Sequence, residues 1–187
     1  MGVLRIVHSG KDQTGKPWWQ DRGKASNLAV GEAILERIAG NYEKGCFLQV
    51  QEKKDKKNLT HKTVSTEGEK DKNVAESLTE IWQRKAPEQA EVEPEMDGVI
   101  WHWVATLKTQ LDAKKALPGI ASITPNNSEL IIGGVDDNGD WQEGISMKGK
   151  ESSVSGKLNA DESPETKKPT GKSDAHYPVK TKLSAVK

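Results

Sequence analysis

Residues Gly10 to Lys16 read G-x-x-x-x-G-K, the spacing of a loop that cradles phosphate. In such a loop backbone amides hold the phosphates, the Lys reaches them as a cation, and a Ser or Thr after the Lys holds Mg²⁺. Residue 17 is Pro, which offers neither a hydroxyl nor an amide. A strand-like stretch, Val3 to Val7, precedes the motif, but the next helix-like stretch starts only at Leu28. Leu130 to Asp137 (LIIGGVDD) could imitate a second nucleotide motif, yet its glycines fit a hairpin arm better. The same residues also read as a turn between two strands. That turn displays Trp18 and Trp19 among Lys11, Lys16, Arg22 and Lys24. Single-stranded nucleic acid is held by this mixture: cations track phosphates, and flat rings stack on bases for about 1–3 kcal/mol each. Neighbouring residues of a strand face opposite sides, so one indole can pack inside while the other stays exposed. The alternative is that one indole packs in the core, the other on the helix, and the lysines are merely solvated.

Other reactive types do not assemble by spacing. Asp136, Asn138 and Asp140 resemble the start of a calcium loop, but Trp141 and Met147 stand where such a loop needs Gly and Glu. A turn is expected there instead. The 4 histidines are scattered singly, so no metal site is expected. The single cysteine, Cys46, excludes an internal disulfide and, in the run Gly45 to Val50, reads as a buried inert thiol. No paired carboxylates and no nucleophile–His set are evident. The expectation is a protein without catalytic chemistry, cofactor or metal.

The 28 basic and 28 acidic residues cancel, but they are segregated. Residues 1–72 carry 14 basic and 10 acidic groups, residues 73–147 carry 5 and 13, and residues 148–187 carry 9 and 5. Such blocks suit separate partners, or attract one another. Six Trp against one Phe and two Tyr means that indoles do much of the packing or binding. No apolar run approaches the roughly 20 residues of a membrane helix. Neither a signal peptide nor a myristoylation site is read at the amino end, so a cytoplasmic or intravirion location is expected.

These residues must be positioned by an α+β fold. Val3–Val7 and Pro17–Ala25 read as strands. Asn27 caps a helix from Leu28 to about Ala39, with Val30, Ile34, Leu35 and Ile38 at helical spacing. Cys46–Val50 reads as a strand. Residues 52 to 58, with Lys53, Lys54, Lys56 and Lys57, form either a solvated loop or a phosphate-contacting arm, followed by a short strand, Leu59–Ser65. Asn73–Lys85 and Val99–Leu117 read as helices from the spacing of Val74, Leu78, Ile81 and Trp82, and of Ile100, Trp103, Leu107 and Leu111. Glu129–Val135 and Trp141–Met147 flank Asn138-Gly139 as a hairpin. The expected organisation is therefore a small N-terminal sheet with one helix over residues 1–85, basic up to about residue 72. An acidic, Pro-containing linker follows at 86–97, then a helix plus β-hairpin at 98–147 and a disordered basic tail at 148–187. No internal repeat is evident.

A family pattern can be laid on residues 14 to 50. Gly15-Lys16-Pro17, Trp19, a helix with Ala33 and Leu35, the turn Tyr42-Glu43-Lys44-Gly45 and the strand Phe47-Leu48-Gln49-Val50 together resemble bacterial-type single-stranded DNA-binding proteins. The resemblance implies an OB-like N-terminal sheet that stacks bases on aromatics. Trp18 or Trp19, Lys16, Arg22, Lys24 and Lys44 would then lie at or near the strand-binding surface. Departures are the family's missing opening strands, Gln51 in place of Gly, and the basic ending KTKLSAVK in place of an acidic tip. The first expectation is thus a protein that binds nucleic acid, single-stranded DNA above all, through residues 11–24 and 44–57. The second is a protein-interaction or structural component of a viral particle or larger assembly, docking a partner through acidic residues 88–97 or the basic tail. A small nucleotide-using enzyme ranks third.

Overall fold

The computed structural model describes residues 3–72, 76–85 and 100–151. In chain order these form β1 (Leu4–Lys11), β2 (Pro17–Ala25), α1 (Leu28–Ile38) with a 3-10 turn (Ala39–Asn41), β3 (Phe47–Lys54), β4 (Lys57–Ser65), β5 (Thr79–Lys85), β6 (Ile100–Leu107), α2 (Gln110–Ala121), β7 (Ser128–Val135) and β8 (Trp141–Lys148). The strands make one antiparallel sheet ordered β4-β3-β1-β2-β6-β5-β7-β8. The fold is α+β and mostly β. The N-terminal strands are half of this larger sheet, which ends in β4 on one side and β8 on the other.

The strands β1 and β2, helix α1, strands β3 and β4 and the β7–β8 hairpin lie near where the sequence predicts them, but β1 and β3 each run four residues further, so the expected loop at 52–58 is mostly strand with its turn at Asp55 and Lys56. Two expected helices are corrected. The stretch Asn73–Lys85 contains the strand β5, its residues 73–75 lying outside the described chain, and Val99–Leu117 divides into β6 and the first part of α2. Both strands are apolar on both faces, so their hydrophobic residues mimic a helical stripe. Ile81 belongs to the core beneath the helices, whereas its neighbour Trp82 belongs to a second cluster on the opposite face. The linker 86–97 and the tail beyond residue 151 lie outside the described residues.

The sheet repeats itself about its centre. Outward from β2 come β1, β3 and β4; outward from β6 come β5, β7 and β8. Each half is a ββαββ unit, and the registers coincide. A register break separates Ile6 from Val7 in the first unit and Ile81 from Trp82 in the second, with Arg22 and Val104 as the extra residues opposite. A second break follows Val50 in one unit and Ile131 in the other. Asn27 caps α1 by accepting from the Val30 amide, and Thr109 caps α2 by accepting from the Asp112 amide. A parallel bridge joins Glu43 to Gly68 and, at the matching place, Pro125 to Glu151. At the seam Lys24 faces Thr106, flanked by Gly23–Leu107 and Ala25–Ala105, the pattern of a local two-fold axis through that pair. Gly23 makes the seam possible: its φ is +148°, and a Cβ there would lie 2.2 Å from the Thr106 carbonyl oxygen. A repeat that the linear sequence does not display is thus present in the backbone.

Helices α1 and α2 pack against one another and cover one face of the sheet. Leu4, Ile6, Ala25, Leu48, Val50, Ile81, Leu107, Leu130 and Ile132 meet Ile34, Leu35, Ile38, Leu117 and Ile120 in a single core drawn from both halves. Alternation along each strand sends the intervening side chains to the uncovered face.

Candidate nucleic-acid interface

The β1–β2 turn is organised by one carboxylate. Asp12 Oδ1 accepts from the Thr14 amide at 2.8 Å, the Thr14 hydroxyl at 2.6 Å and the Lys16 amide at 2.9 Å. The Thr14 hydroxyl, then the Lys16 amide, hold the Asp12 carboxyl below the usual carboxylate range. Amides that a phosphate loop would aim at its ligand are thus spent on Asp12, and a strand rather than a helix follows. The turn leaves Lys11 and Lys16 exposed.

The two adjacent indoles divide as strand alternation requires. Trp18 is half-buried and stands edge-on to His8, with ring centroids 4.8 Å apart. Trp19 is 65% exposed. The Arg5 guanidinium lies 5.4 Å from the Trp19 ring centroid and also bonds Asp21 at 3.3 Å. Ser9 pairs with Trp19 on one side and Phe47 on the other, so these two exposed aromatics stand two strand spacings apart, about 9–10 Å. Phe47 is 44% exposed.

Beside Trp19 the uncovered face sinks into a groove of about 470 Å³, lined by Arg5, Val7, Ser9, Pro17, Trp18, Trp19, Gln49, Gln51 and Asn58. Gln51 Nε2 donates to Gln49 Oε1 at 2.9 Å. The sequence reading missed Arg5, Ser9, Phe47, Gln49, Gln51 and Asn58. The alternation of polar and apolar residues in Leu4–Ser9 and Phe47–Gln51 was the signal that could have found them.

The expected cations separate. Lys11 and Lys16 stand at one end of β1, and exposed Lys53, Lys54, Lys56 and Lys57 sit at the tip of the β3–β4 hairpin beyond the other end, where Asp55 and Lys56 take positive φ. Lys24, half-exposed, lies mid-sheet opposite Arg5. Lys44 is exposed in the turn before β3. Arg22 does not reach the uncovered face. It is 5% exposed, its Nε donates to the Tyr42 hydroxyl at 2.9 Å, and its guanidinium lies 3.7 Å from Glu76. Tyr42 in turn donates to Asp112 at 2.5 Å, and the Asn41 amide donates to the same carboxylate at 2.9 Å. Burial first, then the Asp112 charge, push the Tyr42 phenol far above its usual range. This buried set ties β2 and the turn after α1 to the first turn of α2.

The second unit closes the matching face with its own rings. Trp82, Trp101, Trp103 and Ile131 are buried there, with Trp141 packed against them. Gly133 lets Trp141 lie down: a Cβ at Gly133 would meet that ring at 2.1 Å. The Arg84 guanidinium lies 5.5 Å from the Trp101 ring centroid and is held by Glu129 at 2.6 Å.

The remaining motifs are structural. Asp136 accepts from the Asn138 and Asp140 amides, both at 2.9 Å, the same turn that Asp12 builds. No group of three or more His, Cys, Asp or Glu side chains that could hold a metal occurs among the described residues. Cys46 is half-buried rather than buried, and burial pushes its thiol pKa up, away from thiolate chemistry. Among the described residues no helix is long and apolar enough to cross a membrane. Comparison with protein-family models, with curated proteins and with solved structures found no match to this chain.

Proposed function

We propose that this protein binds single-stranded nucleic acid, DNA above all, across the uncovered face of its first ββαββ unit, without catalysing a reaction. The observation that carries the proposal is Trp19: a large indole, 65% exposed, beside the Arg5 guanidinium at the rim of a groove that side-chain amides help to line. A ring left so exposed gains almost nothing from folding and stays available to a ligand, and a base is a flat partner with a charged backbone attached. Phe47 offers a second ring, and the lysines at both ends of the groove supply cations along the path of a strand. An open sheet bearing exposed aromatics serves this purpose without an OB-like barrel. A cytoplasmic or intravirion setting would supply such strands.

The test is binding of a labelled single-stranded oligonucleotide by the full chain. Affinity should fall steeply with salt, and Trp fluorescence should quench. Unchanged fluorescence and anisotropy at low salt with excess oligonucleotide overturn the proposal.

A second reading is a component of a viral particle or larger assembly that docks a protein. It is supported by β4, an edge strand whose Leu59 is 48% exposed and which could take up a partner strand. Acidic residues 88–97 and the basic tail would be further contact segments. Co-purification from the host as a stable hetero-complex would favour it, and a clean monomer would count against it.

A further inference from the structure

We infer that the groove beside Trp19 seats one purine base, adenine by its hydrogen-bonding edge, at the place where the second unit seats its own Trp82 indole. The inference rests on the nucleic-acid reading and specifies what that site recognises.

Val7 and Trp82 occupy equivalent positions. Each directly follows the register break of its unit; Val7 pairs with Asp21 and Gln49, Trp82 with Trp103 and Ile131. In the second unit the Trp82 ring is wholly buried on the uncovered face. It stands edge-on to Trp141 with centroids 6.4 Å apart, and its Nε1–H donates to Glu80 at 3.0 Å. In the first unit the side chain stops at Val7, which its neighbours leave only 2% exposed, and the groove of about 470 Å³ is lined by Val7 together with Arg5, Trp19, Gln49 and Gln51.

The surroundings of the absent ring have changed in a consistent direction. Trp19 keeps the place of Trp101, so a stacking surface remains. Gln49 replaces Ile131, Gln51 replaces Gly133 and Asn58 replaces Trp141, so apolar cover gives way to side-chain amides. Arg5 stands where Glu80 accepts from the indole. An indole and a purine share the same fused five- and six-membered frame. The fold has therefore already accommodated a ring of that size once, and the open copy lines it with hydrogen-bonding groups.

A carboxamide presents a donor beside an acceptor, which matches adenine N6–H and N7 in a bidentate pair. The Gln51–Gln49 hydrogen bond orients the Gln51 amide and uses one of its donors. Asn58 supplies a second amide from the hairpin.

The experiment compares labelled homopolymers of deoxyadenosine, deoxythymidine and deoxycytidine, of equal length and at one salt concentration, with the full chain. Deoxyadenosine strands should bind about 5- to 150-fold more tightly than the pyrimidine strands, the range of one good bidentate contact. The Gln51→Ala/Asn58→Ala double variant should lose that preference while keeping the salt slope and the thymidine affinity. Val7→Trp, which copies the second unit, should lose it too by filling the groove, and its circular dichroism reports whether it folds. If Val7→Trp does not fold, the amide double variant decides alone. Equal binding of all three homopolymers, together with weaker binding by Trp19→Ala, overturns the purine seat and leaves the nucleic-acid reading standing. No binding to any homopolymer at low salt overturns both.

Discussion

Lys24 and Thr106 face each other at the middle of the sheet, and each backbone pairing outward from one has a counterpart outward from the other. The two units share a skeleton but not a surface. Their differences concentrate in two places: the uncovered face, where Val7, Asp21, Gln49 and Asn58 stand against Trp82, Trp103, Ile131 and Trp141, and the buried polar set, where Arg22 and Asp112 stand against Val104 and Val30. One copy covers its face with indoles, and the other leaves a groove there lined in part by side-chain amides.

Trp19→Ala should weaken oligonucleotide binding by about 5- to 150-fold, the 1–3 kcal/mol of one stacked base. Its urea midpoint should move by no more than about 0.5 kcal/mol equivalent, because the ring is mostly solvated. Fluorescence anisotropy and a urea titration on one preparation separate the two effects.

Replacing Lys11 and Lys16 together by Ala should lower the slope of log K against log salt by about 0.7 for each phosphate that these cations neutralise. Lys62→Ala serves as the control. Lys62 lies 3.7 Å from Glu36 of α1, beside the covered face, and its replacement should leave the slope unchanged.

Asp112→Ala should cost about 3 kcal/mol or more, because it strands the Tyr42 hydroxyl and the Asn41 amide and leaves the buried Arg22 with the largely exposed Glu76 as its carboxylate. Tyr42→Phe should cost about 1–3 kcal/mol. The double variant Arg22→Val/Asp112→Val, which copies the apolar residues of the opposite unit, should be less destabilised than Asp112→Ala alone. Chemical denaturation measures all three.

Stability should fall as pH drops below about 6.5, in part through His8. Burial lowers the His8 pKa first, Arg22 lowers it further, and Asp71 opposes both. The unfolded chain therefore binds this proton at a pH where the folded chain does not. The His8 contribution is complete above the unfolded pKa and is lost as pH falls toward the folded one. His8→Gln, the residue at the equivalent position 83, should flatten that part of the profile in thermal melts between pH 8 and pH 5.

Gly133→Ala should destabilise by about 1–3 kcal/mol and red-shift Trp emission, because the new methyl meets the Trp141 ring at 2.1 Å and lifts it into water. Emission like that of the parent protein would mean that Trp141 does not close the second face.

Much of the first unit, and the β7–β8 turn of the second, was legible. Pro17 to Ala25, the Asn27 cap, the stripe Val30–Ile34–Leu35–Ile38 and the Asn138-Gly139 turn each state a local preference that the fold obeys. The opposite orientations of Trp18 and Trp19 followed from strand alternation alone. The second unit was misread where both faces of a strand are covered. Ile81-Trp82 and Trp103-Val104 place apolar residues side by side because alternation turns one to each covered face, and the register break sends both Val104 and Ala105 to the core, which a linear pattern cannot show.

By itself, the sequence determined which segments turn, which helix is capped and which residue types a ligand would meet, since these depend on neighbours a few positions away. It could not determine that residues 4–68 and the described residues between 79 and 151 fold as two copies around Lys24 and Thr106, nor that Arg22 lies buried while Arg5 stands beside Trp19. Those outcomes depend on register across the seam and on which face the helices cover, and both are set by contacts between residues far apart in the chain.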